Sequence, residues 1–150
     1  MTEEVLFTQE GQLGFITLNR PGALNSLTLT MILSMQRQLS RWLNDDSIHA
    51  VIVQAVPGNA FCAGGDIRSL YNSGRLNDSE QMQFFWHEYR LNHFIHHLGK
   101  PYISLIDGIV MGGALEFHYM AVILLQVIIL FLLCRRLVLV SFLISVPAIY

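Results

Sequence analysis

The chain has 150 residues, a formal net charge of −2 and a hydrophobic fraction of 53%. That length suits one domain able to bury most of the surface its unfolded form exposes. The near-balanced charge offers no basic patch for nucleic acid and no reason to expect an acidic partner.

Only Cys62 and Cys134 are present, and Met1-Thr2-Glu3-Glu4 lacks the positive start of a secretory signal, so a reducing, cytoplasmic setting is expected. Charge is unevenly spread. Of 20 charged residues, 18 precede Tyr119, while residues 120–150 carry only Arg135 and Arg136. The chain changes character near Ala114.

Residues 5–8 and 13–18, separated by Gly11, read as a hairpin of short strands. Thr28, or Thr30 in a shorter reading, opens a helix whose apolar positions Met31, Ile32, Met35, Leu39, Trp42 and Leu43 recur at helical spacing, ending near residues 44–46. The Met31, Met35 and Trp42 stripe reads as core, not as a cofactor site. Residues 50–56 form a buried-type strand broken by Pro57-Gly58-Asn59. Asp66 then supplies a carboxylate at the start of a short helix, where it can accept from free N–H groups. Asn77-Asp78-Ser79 opens a second long helix to about Leu98, and residues 102–106 are another short strand. Strands and helices alternate, which predicts an α/β architecture with parallel crossovers and no second domain.

Two glycine turns stand out, Phe61-Cys62-Ala63-Gly64-Gly65-Asp66-Ile67 and Asp107-Gly108-Ile109-Val110-Met111-Gly112-Gly113, 48 residues apart. Each follows an apolar run and is suited to opening a helix. As a pair they have the form of an oxyanion hole: two fixed backbone N–H groups can stabilise the charge on an attacked thioester carbonyl by about 3 kcal/mol each, and glycine lets the backbone come close. Cys62 lies inside the first turn, with no cation nearby in the sequence to lower its pKa, and reads as small apolar packing. His93, His96 and His97 share one helix turn, but no Cys or carboxylate stands at a supporting spacing, so a partly exposed helix face is expected, not a metal site.

The text around these turns resembles the crotonase (enoyl-CoA hydratase/isomerase) superfamily, and within it the 3-hydroxyisobutyryl-CoA hydrolase branch. The resemblance rests on Leu18-Asn19-Arg20-Pro21 with Ala23-Leu24-Asn25-Ser26-Leu27, on residues 61–68, on Phe84-Phe85 with Glu88-Tyr89-Arg90-Leu91-Asn92, and on Lys100-Pro101-Tyr102 leading into residues 108–113. It covers residues 1 to about 113. It implies a crotonase-like (ClpP/crotonase) spiral of short β-strands with helices outside, truncated here, and hydrolysis of an acyl-CoA thioester, 3-hydroxyisobutyryl-CoA in valine breakdown. It further implies that the N–H groups of Gly65 and Gly113 form the oxyanion hole and that Glu88 contacts the polar acyl end. Arg20, Ala23, Leu24, Ala63, Asp66 and Ile67 would lie along CoA, which is part of the substrate, so no separate cofactor or metal is expected. Intact family members often assemble through C-terminal elements, which leaves an oligomer open.

Residues 1–118 are expected to be the N-terminal part of this domain, and 119–150 a hydrophobic tail. With boundaries moved by one base, codons permitted for residues 132–149 also spell AMPETGIGFFPDIGASY, close to the family's next motif. One base is therefore expected to be lost near the codons for Gly113 and Ala114, removing the glutamate of MPET and the aspartate of FPD and leaving the chain inactive as written. Glu116 stands three residues after Gly113, where hydratases of the superfamily place a catalytic glutamate, and a hydratase or isomerase using Glu116 is the first rival. A non-enzymatic CoA-binding or membrane-associated remnant is the second. Residues 121–134 are apolar apart from Gln126, but 14 residues fall short of the roughly 20 needed to span a bilayer, so membrane insertion is not expected.

Overall fold

The computed structural model describes residues 3–76 and 78–111. Strands β1 (Val5–Glu10) and β2 (Leu13–Leu18) form the expected hairpin, in register from Val5 opposite Leu18 to Glu10 opposite Leu13. The next strand, β3 (Ala50–Ala55), lies parallel to β2, with Leu13 opposite Ala50 and Leu18 opposite Ala55. Beyond it, β5 (Tyr102–Ser104) lies parallel to β3, so the sheet runs β1-β2-β3-β5.

Between β2 and β3 the chain crosses over through α1 (Leu29–Leu43). Thr28 caps it, its Oγ1 accepting from the Met31 N–H at 3.2 Å, which settles the choice between Thr28 and Thr30. The stripe at helical spacing becomes the core: Met31, Ile32, Met35, Leu39 and Trp42 are buried, and Trp42 meets Phe7 edge to face at 6.2 Å. Leu43 is the exception. It is exposed because the stripe rotates off the sheet at the last turn.

The sequence reading missed two strands, β4 (Ala60–Cys62) and β6 (Ile109–Val110), which pair in parallel as a second small sheet. Runs of two and three residues are too short to carry a periodicity, so only long-range pairing defines them. After β4 come α2 (Ile67–Leu76) and α3 (Glu80–His96). Asp78 Oδ1 accepts from the Glu80 N–H at 2.8 Å, and the Ser73 hydroxyl both donates to Asp78 and accepts from the Gln81 N–H at 3.0 Å. These bonds fix the corner between the helices. The buried face of α3 comprises Phe84, Glu88, Leu91, Asn92 and Ile95 and packs toward α1 and the first glycine turn. Its two polar members are what make that face more than core.

Candidate functional site

The first glycine turn is held between two neighbours. Gly64 takes φ +89°, a conformation that L side chains rarely adopt, and turns the chain from β4 toward α2. Leu27 then pairs with Gly65 in a parallel bridge: the Leu27 N–H donates to the Gly64 carbonyl at 2.8 Å, and the Asp66 N–H donates to the Leu27 carbonyl at 2.9 Å. A bridge centred on Leu27 leaves the Gly65 N–H pointing the other way. No acceptor among the described residues takes it. Gly65 is also crowded, since a Cβ there would lie 3.0 Å from Phe84 Cζ.

Asp66 opens α2 as expected, with Oδ1 accepting from the Arg68 and Ser69 N–H groups at 3.2 Å each. Its other oxygen accepts from Arg20 Nη2 at 2.8 Å. Arg20 also pairs through Nε with Glu4 at 3.0 Å and donates through Nη1 to the Ser26 carbonyl at 2.7 Å. Its guanidinium thus ties the loop after β2 to the turn that carries Gly65. Partial burial works to raise the Asp66 carboxyl, but the hydrogen bonds from Arg20, Ser69 and Arg68, together with the Arg20 charge, outweigh it and hold the group below the usual carboxylate range.

Asn25, not among the predicted site residues, is the second tie. It is buried at φ +53°, accepts from the Arg20 N–H at 2.8 Å and donates to the Ala60 carbonyl at 2.9 Å. An asparagine after a proline turn signals a left-handed position, but its partner in β4 is visible only in the fold. The Ala63 N–H donates to the Leu24 carbonyl at 3.0 Å, so residues 24–27 and 63–66 run side by side. Ala23 and Ala63 are half-buried there, while Leu24 and Ile67 leave apolar surface exposed at its edge.

Glu88 is buried on α3, one turn beyond the Phe84 ring that abuts Gly65. Its charge acts on Cys62. Burial first pushes the Cys62 thiol up, the Gly64 N–H opposes this, and Glu88 adds to it, leaving the thiol at about 11. Cys62 is therefore a buried, protonated packing group, as its setting in the sequence predicted.

The second glycine turn lies against the first. Gly108 has φ +94°, the Ile109 N–H donates to the Asn59 carbonyl at 3.0 Å, and the Met111 N–H donates to the Cys62 carbonyl at 3.0 Å. In the β4–β6 register Cys62 stands opposite Val110. Those residues are 48 apart, the same separation as Gly65 and Gly113. Gly113 and Glu116 lie outside the described residues, as does the tail 119–150. No helix among the described residues is long and apolar enough to cross a membrane. His93, His96 and His97 are exposed on the last turn of α3, with the His93 and His97 rings stacked at 4.2 Å.

The sequence profile described as enoyl-CoA hydratase/isomerase matches residues 13–123. The 3-hydroxyisobutyryl-CoA hydrolase, mitochondrial, of Xenopus tropicalis is 50% identical over 110 residues, 73% of this chain and 29% of that protein. Its human counterpart is 45% identical over 111 residues, 74% of this chain and 29% of that protein. Among solved structures, a carnitinyl-CoA dehydratase from Mycobacterium thermoresistibile aligns with a TM-score of 0.77 at 43% identity, covering 80% of this chain and 35% of that one. The chain spans less than a third of the length of the hydrolases it matches.

Proposed function

The chain belongs to the enoyl-CoA hydratase/isomerase family, with the crotonase fold its sequence motifs implied, and on that premise we propose that it is the acyl-CoA-holding part of a 3-hydroxyisobutyryl-CoA hydrolase. The observation that carries this reading is the register between the two glycine turns. β4 and β6 pair in parallel, with Cys62 opposite Val110 after a register shift from Ala60 opposite Ile109, so the first glycine turn and the start of the second lie side by side. The Gly65 N–H, turned out of the Leu27 bridge, would bind the thioester carbonyl together with that of Gly113. Glu88 would face the polar acyl end. Ala23, Leu24, Ala63 and Ile67 would line CoA, with Arg20 and Asp66 holding that lining in place.

In the intact reaction, water or a carboxylate attacks the thioester carbon, the carbonyl oxygen takes the charge, and the C–S bond breaks to release CoA as its thiol. Paired amides stabilise the oxyanion but supply neither nucleophile nor proton. On the shifted-frame reading of residues 114–150, the carboxylates that do so are not encoded in this frame. The chain therefore binds the ester and turns it over negligibly.

Infrared difference spectroscopy with a 13C-labelled thioester carbonyl tests the site. Binding should move the carbonyl stretch to lower frequency, as two hydrogen bonds polarise it. An unshifted band in the bound ester would sink the oxyanion assignment. Release of free thiol at an ordinary enzymatic rate would refute the predicted inactivity, and hydration of crotonyl-CoA that is lost in Glu116→Gln would favour the hydratase instead.

A further inference from the structure

α3 is apolar on two sides. Inward it presents Phe84, Leu91 and Ile95, while Met82, Phe85, Trp86 and Tyr89, spaced i, i+3, i+4 and i+7, form a second stripe that stays exposed, Trp86 and Tyr89 at 62% each. An exposed apolar stripe of this kind marks a contact surface. Beside it, where α3 packs along α1, runs a groove of about 470 Å³ lined by Gln36, Trp86, Tyr89, Arg90, His93 and Phe94. Gln36 also lines a hollow of about 600 Å³ with Leu33, Arg37, Ser40 and Arg41, so the two adjoin.

The charge of this surface is one-sided. Arg37, Arg41 and Arg90 are exposed, none forms an ion pair among the described residues, and no carboxylate lines either hollow. Arg90 stacks with its guanidinium carbon 5.9 Å from the centre of the Trp86 ring, which orients the group and leaves N–H donors for a ligand. The balanced net charge gave no reason to expect an acidic partner, yet the fold gathers three cations on one face. α1 contains no Asp or Glu, and Glu88, the carboxylate nearest Arg90 in sequence, is buried on the inward face of α3.

Charge also decides the occupant. Residues 112–150 hold Arg135 and Arg136 but a single carboxylate, Glu116, so the chain's own tail leaves these arginines unneutralised, and a second copy laid face to face would set arginine against arginine. We propose that the α1–α3 groove docks an acidic, amphipathic helical segment of another protein. An apolar side chain of that segment sits against Trp86, Tyr89 and Phe94, and carboxylates one turn apart pair with Arg37 and Arg41, which the helix rise separates by about 6 Å. The groove shares no residue with the candidate ester site, so the two readings stand separately.

The probe is a capped peptide of about four helical turns repeating Leu-Glu-Ala-Phe-Glu-Ala-Ala, titrated into the full chain at low salt. Trp42 is buried and Trp86 exposed, so a change in tryptophan emission reports on the groove. Binding should shift the emission to the blue and saturate. Arg37→Glu combined with Arg41→Glu should weaken it by about 10-fold or more, as should Arg90→Glu, and lysines in place of the peptide's glutamates should abolish it. No shift with the acidic peptide, or equal binding by the lysine peptide or by the arginine variants, overturns the proposal. A shift given only by phosphatidylserine vesicles assigns the face to a membrane, and one that follows protein concentration alone assigns it to a second copy; either overturns it as well.

Discussion

Arg20 Nη2 lies 2.8 Å from Asp66 Oδ2, joining the loop after β2 to the residue that follows Gly65 and caps α2. Both side chains are largely shielded, at 21% and 17% exposure. The pair is therefore a positioning device: it sets the path of the Leu27–Gly65 bridge, on which the direction of the Gly65 N–H depends.

Replacing Arg20 by Met leaves Asp66 and Glu4 without their cation. A loss of about 2 kcal/mol is expected, the scale of a charge-assisted hydrogen bond removed from one side. Urea unfolding would measure it. Because Asp66 titrates below its ordinary value in the folded chain, its contribution is present above the ordinary carboxylate pKa and disappears as pH falls through the lowered one. The stability difference between Arg20→Met and the parent should therefore shrink below about pH 4. A difference unchanged between pH 7 and pH 3 would contradict the pairing.

The glycines of the two turns should respond differently to alanine. At Gly108 a Cβ would stand 2.6 Å from the Asn59 carbonyl oxygen at a φ of +94°, so backbone must move. At Gly65 it meets the end of the Phe84 ring at 3.0 Å, and a side chain can yield by a few tenths of an ångström. Gly108→Ala should cost about 3 kcal/mol and Gly65→Ala about 1 kcal/mol. Thermal melts that rank them in the opposite order would remove the basis for this argument.

Cys62 should resist thiol reagents. Buried and with its pKa at about 11, it carries almost no thiolate at pH 8. In a Cys134→Ser background, labelling by a disulfide reagent should be slow in buffer and fast in denaturant. Its raised pKa also makes its contribution to stability complete below the unfolded value near 9, and lost as pH rises toward 11. Rapid labelling of the native chain would show the turn to be open.

Lys100 Nζ donates to the Trp42 and Asp45 carbonyls, the latter at 2.7 Å, placing its charge at the C-terminal end of α1. Lys100→Met should lower stability by about 1–2 kcal/mol. Lys100→Arg should recover part of that loss, and equal melting temperatures for the parent and Lys100→Met would count against the contact.

Much of the architecture was legible because it rests on local rules. The 3.6-residue stripe of α1, the cap at Thr28, the Asp66 cap and the hairpin around Gly11 all follow from residues within a few positions of one another. The two short strands were not legible. Neither were the roles of Asn25 and Lys100, whose partners, Ala60 and Trp42, lie 35 and 58 residues away. Arg20, which the family resemblance places along CoA, has hydrogen bonds to Glu4, Ser26 and Asp66, and the one to Asp66, 46 residues away, is visible only in the fold.

The order of residues alone determined the periodic elements, the glycine pair and the family motifs, since these depend on side-chain type and spacing along the chain. Only tertiary structure decided that β4 and β6 bring the two turns together, that the Gly65 amide faces out of its bridge, and that Glu88 and Asn92 are drawn inside. Those outcomes depend on which distant groups exclude water from one another, and a one-dimensional pattern carries no term for that.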